Sequence, residues 1–321
     1  MKFIKEHDIE RFYTMKDCIE DMKEGFRLYN NKKTYSPVRT ILHHAELNSN
    51  TLFMPSYIED LEYETVKVVS VFPNNSGTSL PSLQGIILLT ETRNGEHVAI
   101  IEASGLTVMR TGAAAGVATQ YLAKEDASCL SILGCGAQAR GQLKAMLEVR
   151  PIKEIFLWNR TKEKAIAFKE EIERFQEWTG KIVVCEDANE AASKADILVL
   201  STKSEESLFD GDVLKPGVHI NAIGAYRPDM KEFGADTLRK ADQVWVDTLE
   251  GVQHESGDLI QPVNASLGSW DQLTGEIAEL VTGLKQGRQS PEEITLYKSV
   301  GVSYMDTIAA AKVYEQMLKR G

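Results

Sequence analysis

The chain is short of the residues that staple or metallate small folds. Its four cysteines, Cys18, Cys129, Cys135 and Cys185, lie far apart in 321 residues and include no Cys-x-x-Cys pair. That spacing excludes a disulfide framework, carries no zinc signature and makes a reducing compartment the natural setting. The six histidines also lack metal-ligand spacing: His43 and His44 are adjacent and cannot share one face of a helix or strand. No metal is expected. No apolar run approaches the ~18 residues that would suggest a bilayer span, and the opening MKFIKEHDIERF lacks the apolar core of a signal peptide. Internal repeats and low-complexity tracts are missing as well. Basic residues are outnumbered, 36 against 47 acidic, for a net charge of −11. An acidic surface disfavours nucleic acid or an anionic membrane as the main partner, while leaving room for a local cationic pocket. The expectation is a cytoplasmic protein with neither nucleic acid nor membrane as a partner.

With 43% hydrophobic and 26% charged residues, the chain suits one large domain or two modest ones. Its first ~100 residues mix one amphipathic helix with short strands. In TMKDCIEDMKEGFRLY, Met15, Cys18, Ile19, Met22 and Phe26 share a helical face, and Thr14 with Asp17 reads as an N-terminal cap. Strand-type runs follow: TLFMP, TVKVVSVF, GIILLT and VAIIEA. The last two flank ETRNGE, whose Asn94-Gly95 predicts a hairpin and hence antiparallel pairing.

From about Leu106 the pattern changes. An Ala-rich helical stretch, GLTVMRTGAAAGVATQYLA, leads into the runs LSILG, EIFLWN, IVVCE, DILVLS, VHINAIG and QVWVD. Helix-type segments such as ARGQLKAMLEV and TKEKAIAFKEEIERFQEW lie between most of them. Apolar strands alternating with amphipathic helices imply a parallel sheet covered on both faces. SYMDTIAAAKVYEQMLKR predicts a final helix, expected to return to the first domain.

Within LSILGCGAQARGQL a strand runs into Gly134-x-Gly136-x-x-Ala139 and then a helix. The first glycine permits a tight turn, the second lets backbone approach a pyrophosphate, and Ala139 lets helix pack on strand. The helix N-terminus offers N–H groups and a positive dipole end to phosphates. The next strand would ordinarily end in an acid that holds the ribose hydroxyls of NAD. Here it ends in Asn159, Arg160 and Thr161. A carboxylate there would repel a 2′-phosphate, whereas Arg160 offers a cationic fork and its neighbours neutral polar contacts. NADPH is therefore the expected cofactor, with NADH left open; the competing reading makes Arg160 a solvated arginine beside a Thr161 cap.

The sequence resembles the ornithine cyclodeaminase and mu-crystallin family, which includes ketimine reductases and an archaeal alanine dehydrogenase. The resemblance rests on FMPSYIEDLEYETVKVVSVFPNN, SLQGIILLTETRNGE, MRTGAAAGVATQYLA, SILGCGAQARGQ, NAIGAYRPDMKEF and KSVGVSYMDTIAAAKVYE, in family order over nearly the whole chain. It implies a homodimer of two-domain subunits with an α/β fold. An α+β domain for substrate and dimer contacts, residues 1–112 and 300–321, joins a Rossmann domain with a doubly wound parallel sheet, 113–299. It implies substrate-binding roles for Arg39, Lys67 and Arg110, with Lys67 catalytic. Taken alone, Lys67 on an apolar face reads equally as an edge-strand gatekeeper or a buried amine with a depressed pKa. Arg110 reads alternatively as a surface ion pair, and Arg39 as a solvated arginine. The expected cofactor contacts are Thr111, Gly134, Gly136, Ala137, Gln138, Ala139, Asn159, Arg160, Thr161, Ser201, Thr202, Gly224 and Ala225.

One departure selects among reactions. Ornithine cyclodeaminases carry an aspartate, used in removing ammonia, at the place where NAIGAYRPDMKEF has Tyr226. The run Gly224 to Asp229 looks more like the Gly-Ala-x-Arg-Pro-Asp of ketimine reductases, and Asp229 is shifted by three and is no replacement. The expected activity is reduction of a cyclic imine carboxylate: Δ1-pyrroline-2-carboxylate to L-proline, Δ1-piperideine-2-carboxylate to L-pipecolate, or both. The alternatives are cyclodeamination of ornithine, alanine dehydrogenation, and a non-catalytic ligand-binding role.

Overall fold

The computed structural model describes residues 1–75, 78–174 and 178–320. The chain forms two compact units, Met1–Arg110 with Val302–Gly321, and Thr111–Gly301. The division falls inside the helix Ala103–Leu122.

In the first unit, Thr14 caps the helix Met15–Asn30. Its hydroxyl accepts from Asp17 N at 3.1 Å, and the Asp17 carboxylate accepts in return from Thr14 N. The stripe Met15, Cys18, Ile19, Met22 and Phe26 is buried. The Asn94-Gly95 turn joins the antiparallel strands Leu83–Glu91 and Glu96–Glu102, with Gly95 at φ 77° and Asn94 Oδ1 accepting from Glu96 N at 2.8 Å. Among the described residues the sheet runs Lys2–Ile4, Glu96–Glu102, Leu83–Glu91, Tyr63–Val71, Ser49–Ile58 and Thr34–Tyr35, and Thr40–His44 also pairs with Ser49–Ile58. Lys2–Ile4, Thr34–Tyr35 and Thr40–His44 show no alternation in the sequence. Each is short and pairs with a single neighbour, so tertiary pairing defines it rather than pattern.

Period-2 geometry places Thr65 and Lys67 on one face of Tyr63–Val71. That face is covered by the C-terminal helix Ser303–Arg320, which also packs on Ser49–Ile58 and Met15–Asn30. The Thr65 and Thr307 hydroxyls meet at 2.7 Å. On the opposite face, cross-strand register aligns Phe53, Val68 and Ile86. Phe53 and Val68 are half-buried and Ile86 is 42% exposed.

The second unit holds eight strands among the described residues, all parallel. Their order is Lys181–Val184, Glu154–Trp158, Cys129–Leu133, Ile197–Leu200, His219–Ala222, Thr295–Lys298, Gln243–Val246, Gly275–Glu276. The chain steps outward from Cys129–Leu133 in one direction, then returns to its other side at Ile197–Leu200. This reversal is the doubly wound Rossmann arrangement, and ligands bind at the carboxyl ends of the strands beside it. Thr295–Lys298 and Gly275–Glu276 extend the sheet beyond the strands read from sequence, because Thr-Leu-Tyr-Lys has no continuous apolar signal. The segment expected to be helical from Thr161 to Trp178 is a helix over Lys162–Glu173; residues 175–177 lie outside the described residues. No described helix is long and apolar enough to cross a membrane, and no described cluster of His, Cys, Asp and Glu could hold a metal.

Candidate functional site

Lys67 sits on an interior strand. Tyr63–Val71 pairs with Ser49–Ile58 on one side and Leu83–Glu91 on the other, placing Lys67 between Met54 and Ile87. An interior position excludes the edge-gatekeeper reading. Lys67 is 3% exposed, Arg110 5% and Asp306 0%. Both cations converge on one carboxylate: Lys67 Nζ donates to Asp306 Oδ2 at 2.5 Å, and Arg110 Nε donates to Oδ1 at 3.0 Å. Arg110 Nη1 lies 3.9 Å from Met305 Sδ. The surface-ion-pair alternative for Arg110 thus gives way to a buried one.

The charges act on one another. Burial lowers the Lys67 ammonium to about 8; Asp306 opposes that shift, while Arg110 and Arg39 add to it. Half-buried Arg39 therefore belongs to the same electrostatic cluster. Burial alone would raise the Asp306 carboxyl, but Arg110 and Lys67 outweigh it and hold Asp306 below the usual carboxylate range. With Lys67 charged, the four groups sum to a positive site suited to a small anion.

Asp306 escaped the sequence reading. Its signal was a lone acid in Tyr-Met-Asp-Thr-Ile-Ala-Ala-Ala, a stretch buried throughout. A carboxylate on such a helix face needs a buried cation opposite, and Lys67 raised the matching question from the strand side.

In the second unit, the glycine turn follows the strand Cys129–Leu133 and opens the helix Ala137–Val149. Gly134 has φ 101°, and a Cβ there would meet Thr202 Cγ2 at 2.6 Å and Ser201 O at 2.7 Å. Only glycine tolerates both conditions. A Cβ on Gly136, by contrast, would meet nothing within 4 Å. Gly136 and Ala137 are exposed, no side chain caps the helix, and Gln138 Oε1 is buried without a partner. Ala139 is fully buried, as its packing role requires. Open space and uncapped N–H groups fit a pyrophosphate-bearing dinucleotide.

Asn159 braces this turn: its Oδ1 accepts from Cys135 N at 3.0 Å and its Nδ2 donates to Thr161 O at 2.9 Å. Arg160 is exposed and makes no hydrogen bond or ion pair among the described residues. Thr161 begins the next helix, but its hydroxyl does not cap it. Across the reversal, the Ser201 hydroxyl donates to Gly134 O at 2.7 Å. The backbone N–H groups of Thr202, Gly224 and Ala225 are all donated to the Glu232 carboxylate. Thr111 is buried, with its carbonyl accepting from Gln142 Nε2 at 3.3 Å.

The ornithine cyclodeaminase/mu-crystallin family model matches residues 1–321. The chain belongs to this family. A Δ1-pyrroline-2-carboxylate reductase of Bacillus cereus (strain ATCC 14579) is 38% identical over 322 residues, covering 100% of this chain and 98% of the relative. Among solved structures, Thermococcus litoralis Δ1-pyrroline-2-carboxylate reductase in complex with NADH and L-proline superposes with TM-score 0.95 at 40% identity, covering 100% and 98% of the two chains. An archaeal alanine dehydrogenase dimer with bound NAD gives TM-score 0.92 at 30% identity, over 100% and 97%. These family members share the Rossmann-type α/β fold described above.

The charge arrangement has a direct consequence for stability. Asp306→Ala would strand two buried cations, at a cost of about 3–5 kcal/mol. Urea unfolding should register that loss; a variant within about 0.5 kcal/mol of wild type would mean the carboxylate is not their counter-charge.

Proposed function

We propose that the protein reduces a cyclic ketimine carboxylate, Δ1-pyrroline-2-carboxylate to L-proline and Δ1-piperideine-2-carboxylate to L-pipecolate, using NADPH. The observation that carries the reading is the buried Lys67–Asp306–Arg110 cluster, a net-positive site built from one interior strand and two helices. Its similarity to reductases of the five-membered imine supplies the substrate class. Arg39 and Arg110 hold the substrate carboxylate, and Asp306 anchors the Arg110 guanidinium through Nε. Lys67 Nζ keeps a proton at the imine nitrogen, since a protonated imine is the better hydride acceptor. When bound at the glycine turn, the reduced nicotinamide supplies the hydride. Gly134, Gly136, Ala137, Gln138 and Ala139 cradle its pyrophosphate. The exposed Arg160 fork, with Thr161 beside it, takes the 2′-phosphate and favours NADPH over NADH.

Two features favour reduction over cyclodeamination. Tyr226, at the place of the cyclodeaminase aspartate, packs against the apolar core of the Rossmann unit and offers no carboxylate. Asp229 is held by Arg227 through contacts of 2.9 and 3.1 Å. A non-catalytic role has no need of a lysine whose charge is adjusted by three neighbours. The apolar sheet face bearing Phe53, Val68 and Ile86 supports a homodimer, because patches of this kind mark interfaces. Sedimentation velocity should give a dimer; a monomer at micromolar concentration would remove that assignment.

Dinucleotide oxidation against a panel of cyclic imines, pyruvate with ammonia, and L-ornithine tests the reaction itself. Turnover confined to the last two would sink it. Lys67→Met should lower kcat with the cyclic imine by roughly 10²-fold or more. Lys67 is charged below its pKa of about 8, so wild-type kcat/KM should fall as pH rises through about 8. Lys67→Arg should move that limb upward, and an unmoved limb would assign it to the substrate instead. Arg160→Ala should lower the kcat/KM ratio of NADPH to NADH by about tenfold; an unchanged ratio would remove arginine from the 2′-phosphate site.

A further inference from the structure

Glu232 is fully buried in the Rossmann unit, and neither of its oxygens is idle. Oε1 accepts from Thr202 N at 2.5 Å and from the Thr202 hydroxyl at 2.9 Å. Oε2 accepts from Gly224 N at 2.7 Å and Ala225 N at 3.1 Å. One carboxylate thus ties together the ends of two adjacent parallel strands, Ile197–Leu200 and His219–Ala222. Gly224 leaves it room to do so, since a Cβ there would lie 2.2 Å from Thr202 O and 2.5 Å from Glu232 Oε1.

A second layer holds Glu232 itself. Its backbone N–H donates to Asp258 Oδ1 at 2.6 Å, and Asp258 Oδ2 pairs with Lys298 Nζ at 2.7 Å. Lys298 Nζ also donates to Ala225 O at 2.6 Å, closing a ring back to the strand end. Asp258 and Lys298 are both fully buried. Three ionisable groups in one dry cluster are expensive to assemble and need every hydrogen bond satisfied. Burial raises the Glu232 carboxyl to about 7, with Lys298 pulling it down and Asp258 pushing it up.

The strand order says what these ends are for. In a doubly wound sheet the dinucleotide straddles the reversal. On that rule its pyrophosphate would lie at Gly134–Gly136 and its adenosine half toward Asn159 and Arg160, and the nicotinamide half would fall on the other side, at Ser201-Thr202 and Gly224-Ala225. We propose that Glu232 is a positioning residue for the nicotinamide half of the dinucleotide site: it fixes these two strand ends as one rigid floor, and Asp258 and Lys298 fix Glu232. The inference rests on the dinucleotide-binding reading above.

The test is calorimetric titration of wild type and Glu232→Gln with NADPH, NADH, and ADP-ribose with and without its 2′-phosphate. Glutamine keeps the shape but turns one acceptor into a donor, so one strand end loses its anchor. The Kd for the intact reduced dinucleotide should rise by about tenfold or more, while the ribose-phosphate fragments stay within about twofold. Unchanged dinucleotide affinity would overturn the proposal, as would an equal loss for dinucleotide and fragment, which marks general structural damage. A wild-type chain that binds neither dinucleotide would overturn the reading beneath it. Should Glu232→Gln not fold, Thr202→Val removes a single bond to the same carboxylate. It should weaken the dinucleotide selectively, by about threefold or more, and unchanged affinity there would equally overturn the proposal.

Discussion

Two cations and one carboxylate can share a dry interior only when each finds its partner at hydrogen-bond distance. Lys67, Arg110 and Asp306 meet that condition by drawing on a central strand, a long helix and the C-terminal helix of one unit. The C-terminal helix packs its buried face on Met15–Asn30, Ser49–Ile58 and Tyr63–Val71, and so brings Asp306 to Lys67 and Arg110. The arrangement leaves the cluster with positive charge to spare. In the proposed reading a carboxylate substrate completes the neutralisation of that charge, which is the physical basis of the proposed specificity.

The Rossmann unit applies the same rule to the opposite sign. Glu232 and Asp258 outnumber Lys298, and backbone N–H groups supply the remaining compensation. In the proposed reading the first unit uses buried charge to attract an anion, whereas in the second it binds the backbone N–H groups of two strand ends. The turn at Gly134 is tied to the same floor by contact with Ser201 and Thr202. The glycine turn and the neighbouring strand ends therefore form one hydrogen-bonded edge of the sheet.

Much of this was legible in the residues. Thr14 with Asp17, Asn94-Gly95 and the Gly134–Ala139 turn announce themselves because each depends on neighbours in sequence. The long apolar strands are visible for a related reason, since a strand buried on both faces must be apolar throughout. Thr40–His44 and Thr295–Lys298 were not visible. Thr295–Lys298 pairs with strands distant in the chain and Thr40–His44 with the neighbouring Ser49–Ile58, and the composition of neither carries a period. Glu232 and Asp306 look like ordinary acids in a chain with 47 of them.

The sequence by itself determined the alternation of strand and helix, the glycine turn, the replacement of an acid by Asn159-Arg160-Thr161, and the family to which the chain belongs. These are local patterns, set by periodicity and by residues a few positions apart. Tertiary structure alone decided that Lys67 lies on an interior strand, that Asp306 serves both Lys67 and Arg110, and that Glu232 joins two strand ends. Each of those facts depends on which segments meet in space, and Asp306 reaches across 239 residues to Lys67 and 196 to Arg110. The free energy of a buried charge is set by what stands within a few ångströms of it, wherever that neighbour lies in the sequence.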